Sequence, residues 1–198
     1  MTTTNATTAL GLIIHDMQND HVNNVEETEK STLIANHVRL VEAARSRRLP
    51  VFYTGHWLRP DHFDAAIRAP SRNSGTLVAG TNGPDIIDEL QPVVGDYVIR
   101  KGGGMSSFGG TMLDLLLRRL RVTKIIVAGV STHVGVESTI RSAVDLDYDC
   151  LVVSDACRSR RVENHEASLL NIATSFGDVA TTLATIDLMQ GVHQTTRQ

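Results

Sequence analysis

Apolar positions divide the chain into short continuous runs and longer segments of helical period. Residues 9–15 (ALGLIIH), 50–56 (PVFYTGH), 96–100 (DYVIR), 124–130 (KIIVAGV) and 150–155 (CLVVSD) form the runs, with a weaker one at 178–183 (DVATTL). They do not alternate and they favour β-branched residues, the signature of strands covered on both faces in a buried parallel sheet. Between them, residues 29–47 align Leu33, His37, Val38, Val41 and Ala44 on one face, opposite Lys30, Asn36 and Arg47. Residues 110–120 align Met112, Leu113, Leu116, Leu117 and Leu120, with Arg118 and Arg119 near the end, where cations suit the helix dipole. Residues 134–146 and 162–176 supply two more helices, the second striped by Val162, His165, Leu169 and Ile172. This alternation predicts a three-layer α/β/α sandwich with right-handed crossovers.

One stretch breaks the rhythm. Residues 57–95 hold Pro60, Pro70, Pro84 and Pro92 with Gly75, Gly80 and Gly83, and only a short helical piece near 84–90. A long irregular segment inside a compact unit reads as a lid or binding loop, here beginning just after the second strand. The 198 residues show no repeat and no linker, so they read as a single domain with a Thr-rich, frayed start over residues 1–8.

Composition narrows the partners. With 41% hydrophobic and 21% charged residues the chain is globular rather than disordered or fibrous. Lys plus Arg is 19 against 22 for Asp plus Glu, a net charge of −3, and no basic run offers nucleic acid a footprint. A small-molecule substrate is therefore the expected partner. The two cysteines, Cys150 and Cys157, are too few for a disulfide framework and lack zinc-ligand spacing. No secretion signal opens the sequence, and no apolar run reaches the roughly 18 residues of a membrane span, so a cytoplasmic location is expected.

Ligands of open parallel sheets sit beyond the carboxyl ends of strands. The first strand runs into His15-Asp16-Met17-Gln18-Asn19-Asp20, the third into Lys101-Gly102-Gly103-Gly104, and the fourth into Ser131-Thr132-His133-Val134-Gly135-Val136-Glu137-Ser138-Thr139. Those ends bring a carboxylate, an ammonium and a helix start to one edge. HDMQND, the Lys followed by SSFGGT, AGVSTHVGVEST and VVSDAC together resemble the isochorismatase-like superfamily, also called cysteine hydrolases. The resemblance runs from about Leu10 to about Phe176. It implies a Rossmann-like, mostly parallel sheet of six strands, a homo-oligomer (dimer or tetramer), and an Asp–Lys–Cys trio in which Asp16 and Lys101 match the first two members. It also implies a cis peptide at Val130–Ser131.

The departure from that pattern is Gly135, which stands where amidase members carry the nucleophilic Cys. No thioester can form there. Cys150 and Cys157 do not match the nucleophile and read as small buried residues. Gly135 is expected to leave room for substrate or water beside amides that stabilise developing negative charge. True isochorismatases are the precedent for a missing Cys; they hydrolyse a vinyl ether without a covalent enzyme intermediate. Asp16 would protonate the enol-ether carbon, and water would attack the resulting oxocarbenium ion. Two other readings stay open: an amidohydrolase lineage that lost its Cys, and a catalytically silent binding or scaffold protein.

The catalytic candidates are thus Asp16, Lys101 and Gly135, and the substrate-binding candidates are Gln18, Trp57, Phe108, Ser131, Thr132 and His133. Alone, Asp16 and Lys101 would read as a turn residue and a solvated charge; the GVSTHVG block tips both towards catalysis. Phe108 reads equally as packing, and His133 as a structural imidazole. Gly102, Gly103 and Gly104 shape a turn rather than a phosphate loop, since no phosphate-binding motif follows the first strand. His56, His62, Asp61 and Asp64 form the one metal-capable group. Thr54 stands where metal-binding relatives have Asp, so neither metal nor cofactor is expected. His37 and His165 read as core histidines, and the Arg158–Arg161 run as a solvated turn.

Overall fold

The computed structural model describes residues 9–191, so the start expected to fray, residues 1–8, lies outside the described residues. The six apolar runs are the six strands: β1 (Leu10–His15), β2 (Val51–Gly55), β3 (Tyr97–Arg100), β4 (Lys124–Val130), β5 (Asp149–Arg158) and β6 (Asp178–Ala180). They pair in parallel in the order β3-β2-β1-β4-β5-β6. The order reverses between β1 and β4, which opens a crevice at their carboxyl ends.

The helices are α1 (Asn19–Val22), α2 (Glu27–Ser46), α3 (Leu113–Arg119), α4 (Glu137–Val144), α5 (Val162–Ser175) and α6 (Thr182–Gly191). Strand side chains alternate between two cores. Leu12, Ile14, Ile126 and Val153 pack with Leu33, Leu40 and Val41 of α2 and Met189 of α6. Ile13, Val127 and Val152 face the other way, onto Leu117 of α3, Ile140 of α4 and Ile172 of α5. The central strands β1, β2, β4 and β5 are thus covered on both faces, which explains why their sequences are apolar without alternation.

Several differences from the sequence expectation have physical causes. Helix α6 lacks an apolar stripe long enough to announce itself; it is held by Asp155, whose carboxylate accepts from the Thr182 backbone and hydroxyl. Asn36, placed on the outer face of its helix, is buried and donates to the Asp155 carbonyl at 2.8 Å. Residues 57–95 are anchored rather than loose. Leu58, Ala65, Ala69 and Leu77 form a small core of their own, and Leu58 exchanges backbone hydrogen bonds with Leu77 and Ala79. Asn19 and Ile87 tie the segment to the end of β1.

The Val130–Ser131 peptide is cis. One residue earlier in β4, Gly129 has φ +141, and a Cβ there would lie 1.9 Å from the His15 carbonyl oxygen. Backbone from β1 therefore passes where any side chain would sit. Gly129→Ala should destabilise the protein by about 3 kcal/mol or more, read as a lowered urea midpoint at unchanged slope.

Candidate active site

β1 delivers Asp16. The chain leaves the strand through a left-handed turn at this residue (φ 53), and its N–H donates to the Thr54 carbonyl of β2 at 2.9 Å. Aspartate is among the few residues that tolerate this conformation. Lys101 follows β3, with its N–H on the Gly55 carbonyl at 2.8 Å. The two side chains, far apart in the chain, meet with Lys101 Nζ 2.6 Å from Asp16 Oδ2. A further lysine proton reaches the Met105 carbonyl at 3.3 Å.

Three imidazoles surround the pair. His15 Nε2 lies 3.2 Å from Asp16 Oδ2 and 3.3 Å from Lys101 Nζ. His56 Nε2 is 3.7 Å and His21 Nδ1 4.0 Å from the same carboxylate oxygen. Asp16, Lys101, His15 and His56 are all buried, whereas His21 is partly exposed. Asp16 Oδ1, His21 Nδ1 and His56 Nδ1 find no hydrogen-bond partner among the described residues.

Burial opposes the charge on Asp16, but His15 and the Lys101 ammonium outweigh it and hold the carboxyl well below the usual range. Desolvation pushes His15 below the ordinary imidazole value and His56 down to about 3. Near neutrality both rings are therefore uncharged, and the positive charge in the site belongs to Lys101. Burial lowers Lys101 too, with Asp16 pulling the other way.

The fourth strand enters differently from expectation. After Ser131 the chain makes a π turn over Thr132–Val136 before α4 begins. The N–H groups of Val134, Gly135 and Val136 all point to the Ser131 carbonyl, at 3.1, 3.0 and 3.3 Å, so they are spent inside the turn. Nor is there room above Gly135. A Cβ at that position would lie 1.9 Å from His15 Nε2. The space expected for substrate or water holds an imidazole.

Among the substrate-binding candidates, Gln18 is fully committed to the backbone. Its amide donates to the His56 and Pro84 carbonyls and accepts from the His56 N–H, locking β1 to β2 and to the following segment. Phe108 is core, packed with Leu113 and Ile140 and tilted against Tyr148. Thr132 turns away to His165 Nδ1 at 2.8 Å, and His133 pairs with Ser159 at 2.8 Å. Trp57 lines a separate hollow of about 510 Å³ with Asn19, Asp85, Asp88 and Gln91. Ser131 directly follows β4, and its carbonyl is shared among the N–H groups of the turn. The metal-capable group disperses: His56 goes to Asp16, Asp61 to Arg59, and Asp64 to Arg59 and Arg100. Among the described residues, no three His, Cys, Asp or Glu side chains are arranged to hold a metal ion. Cys150 and Cys157 are buried, and burial pushes both thiols up to about 12.

The chain and its fold have counterparts among known proteins. The isochorismatase domain model matches residues 11–184. The chain belongs to the isochorismatase family. Within the family it is 30% identical, over 90% of this chain and 83% of the relative, to a ureidoacrylate amidohydrolase, RutB, of Acinetobacter baylyi. It is 31% identical, over 81% of this chain and 86% of the relative, to an Arabidopsis thaliana protein described as a probable inactive nicotinamidase. An isochorismatase family protein from Desulfovibrio vulgaris superposes with a TM-score of 0.83 at 29% identity, covering 92% of this chain and 99% of the other. The family is one of hydrolases, and the six-stranded sheet found here is its fold.

Sequence reasoning assigned no role to His15, His21, Ser107 and Thr139, and weighed His56 only as part of a metal-capable group. His15 directly precedes Asp16, so the signal was at hand: its strand neighbour Ile13 faces the α4 side, and period two puts His15 there as well. These histidines predict a pH dependence of stability. His15 and His56 bind protons less readily folded than unfolded, and so does buried His37, at about 4. Stability should fall as pH drops below 6.5, the unfolded value, towards about 3. The Asp16 contribution has the opposite origin, a depressed carboxyl, and is lost only in stronger acid. Urea midpoints between pH 7 and pH 4 should decline less steeply in His56→Gln than in the parent.

Proposed function

We propose that this chain hydrolyses a small organic acid or acid derivative, of vinyl-ether or related type, by acid–base chemistry of Asp16 and Lys101 with no covalent enzyme intermediate. The observation that carries the reading is the buried contact of 2.6 Å between Lys101 and Asp16 beside a position that has neither a thiol nor space for one. In the free site Asp16 is ionised, so it is not a standing acid. An anionic substrate placed against Lys101 competes for the ammonium's field and raises the proton affinity of Asp16. Substrate and proton then enter together. Asp16 delivers that proton to the enol-ether carbon, and Lys101 holds the substrate's negative group. Water adds to the oxocarbenium carbon, its surplus proton returns to the Asp16 carboxylate, and the hemiketal collapses to a carbonyl compound and an alcohol. Asp16 Oδ1, His21 Nδ1 and His56 Nδ1 have no hydrogen-bond partner among the described residues and are free to engage substrate or water.

A second reading is amide hydrolysis by water, with ionised Asp16 as the base. It is supported by that ionisation and by the likeness to a ureidoacrylate amidohydrolase. It ranks lower because the amides at Gly135, the natural donors to an oxyanion, are engaged by Ser131. A cytoplasmic location remains part of the proposal; no helix of the described residues is long and apolar enough to cross a membrane.

Turnover on isochorismate and on a panel of small ureido and carboxylic amides separates the readings by product. Asp16→Asn should lower kcat/KM by about 10³-fold on the true substrate. For vinyl-ether cleavage kcat/KM should fall as pH rises above neutrality, because proton uptake is lost; for the amide reading it should fall towards acid. Binding without turnover of any panel member would favour a silent protein. The reading also includes a homo-oligomer, supported by Val94 and Val98, apolar and exposed at the open edge beside β3. Sedimentation equilibrium should give a dimer or tetramer, shifted towards monomer by Val98→Lys.

A further inference from the structure

We propose that His15 is a positioning residue: its imidazole takes the volume a side chain at 135 would need and clamps Asp16 and Lys101 in register. The proposal deepens the Asp16–Lys101 reading and rests on it.

Steric evidence comes first. A Cβ at 135 would lie 1.9, 2.8 and 2.9 Å from His15 Nε2, Cδ2 and Cε1. A Cβ at 129 would strike the His15 backbone at 1.9 Å. Two glycines thus line the cradle of one residue. His15 cannot retreat, because it is fully buried and paired in the sheet with Thr54 on one side and Gly129 on the other. One volume has two claimants, and the imidazole holds it.

Both ring nitrogens are committed. Nδ1 lies 2.8 Å from Ser107 Oγ, which is itself 2.8 Å from Thr54 Oγ1 and 3.3 Å from Thr139 Oγ1. The Ser107 N–H donates to Thr139 Oγ1 at 3.0 Å. Hydroxyls from β2, α4 and the segment after β3 therefore hold one end of the ring. The other nitrogen, Nε2, lies 3.3 Å from Lys101 Nζ and 3.2 Å from Asp16 Oδ2, against both members of the pair. A buried imidazole anchored at one nitrogen and aimed at the reacting pair with the other is the usual geometry of an orienting group. The charged and titratable groups facing His15 are Asp16, Lys101 and His21; those facing Asp16 are His15, Lys101, His21 and His56. His15 is the only one of Asp16's imidazoles within 3.5 Å of it.

Two measurements test the proposal. Thermal unfolding of Gly135→Ala, His15→Ala and the double variant reads the shared volume. Gly135→Ala should lower Tm, and should do so by less than half as much once His15 is trimmed; equal losses in both backgrounds overturn the steric claim. Titration of the Asp16 carboxyl by ¹³C NMR reads the clamp in the parent, in His15→Gln, which keeps an amide donor, and in His15→Phe, which keeps only bulk. The Asp16 midpoint should rise by about one pH unit in His15→Phe and by less in His15→Gln. On the true substrate, His15→Phe should lose about 100-fold in kcat with KM little changed, and His15→Gln should recover about tenfold of it. A midpoint and pH profile unchanged from the parent in His15→Gln and His15→Phe would reduce His15 to a filler and overturn the proposal. If His15→Phe does not fold, the His15→Gln and His15→Asn midpoints decide alike. Because the carboxyl titration needs no turnover, failure of every substrate in the panel would sink the function proposed above and leave this test standing.

Discussion

An ion pair closed off from water organises this molecule. Asp16 and Lys101 touch at 2.6 Å in a buried setting, where neither charge would survive alone. Removing either would leave the other stranded, so the three strand ends that deliver and flank them must arrive together. That is what the reversal of strand order between β1 and β4 accomplishes. The left-handed turn at Asp16, the Gln18 staple and the anchored segment 57–95 all hold the carboxylate at the mouth of that crevice.

A second constraint follows from the first. A carboxylate and an ammonium buried together need polar company, and the nearest imidazole nitrogen belongs to the residue just before the carboxylate. Placing an imidazole there consumes the space above the turn into α4, which is affordable only if position 135 has no side chain. The His15–Gly135 relation is therefore one choice rather than two. It also explains why a thiol added at 135 without trimming His15 should not become a working nucleophile: the ring is already where the new Cβ would go.

Much of the architecture could be read in the chain. Strands buried on both faces announce themselves as unbroken apolar runs, and α2, α3 and α5 follow from their stripes. Helix α6 was invisible because its few buried positions, Thr182, Thr185 and Met189, make no apolar stripe and its start is set by a carboxylate cap from β5. Asp16 and Lys101 were legible as chemistry-bearing residues at the ends of strands. For Gln18, Phe108 and Thr132 the sequence was silent for a common reason: proximity in sequence to a site does not say which way a side chain turns. Gln18 turns into backbone carbonyls, Phe108 into the core beside α3 and α4, and Thr132 towards His165 on α5.

The sequence by itself determined the layers, the strand ends that bear charge, and the absence of a thiol at 135. These follow from periodicity and residue type, which are local properties of the chain. Only the tertiary structure decided that Lys101 reaches Asp16, that the amides at Gly135 are spent on Ser131, and that His15 occupies the emptied volume. The first and last depend on contacts between residues 85 and 120 positions apart in the chain, and the second on the turn type that residues 131–136 adopt in the folded molecule. Neither packing exclusion nor hydrogen-bond saturation leaves a mark on a one-dimensional pattern.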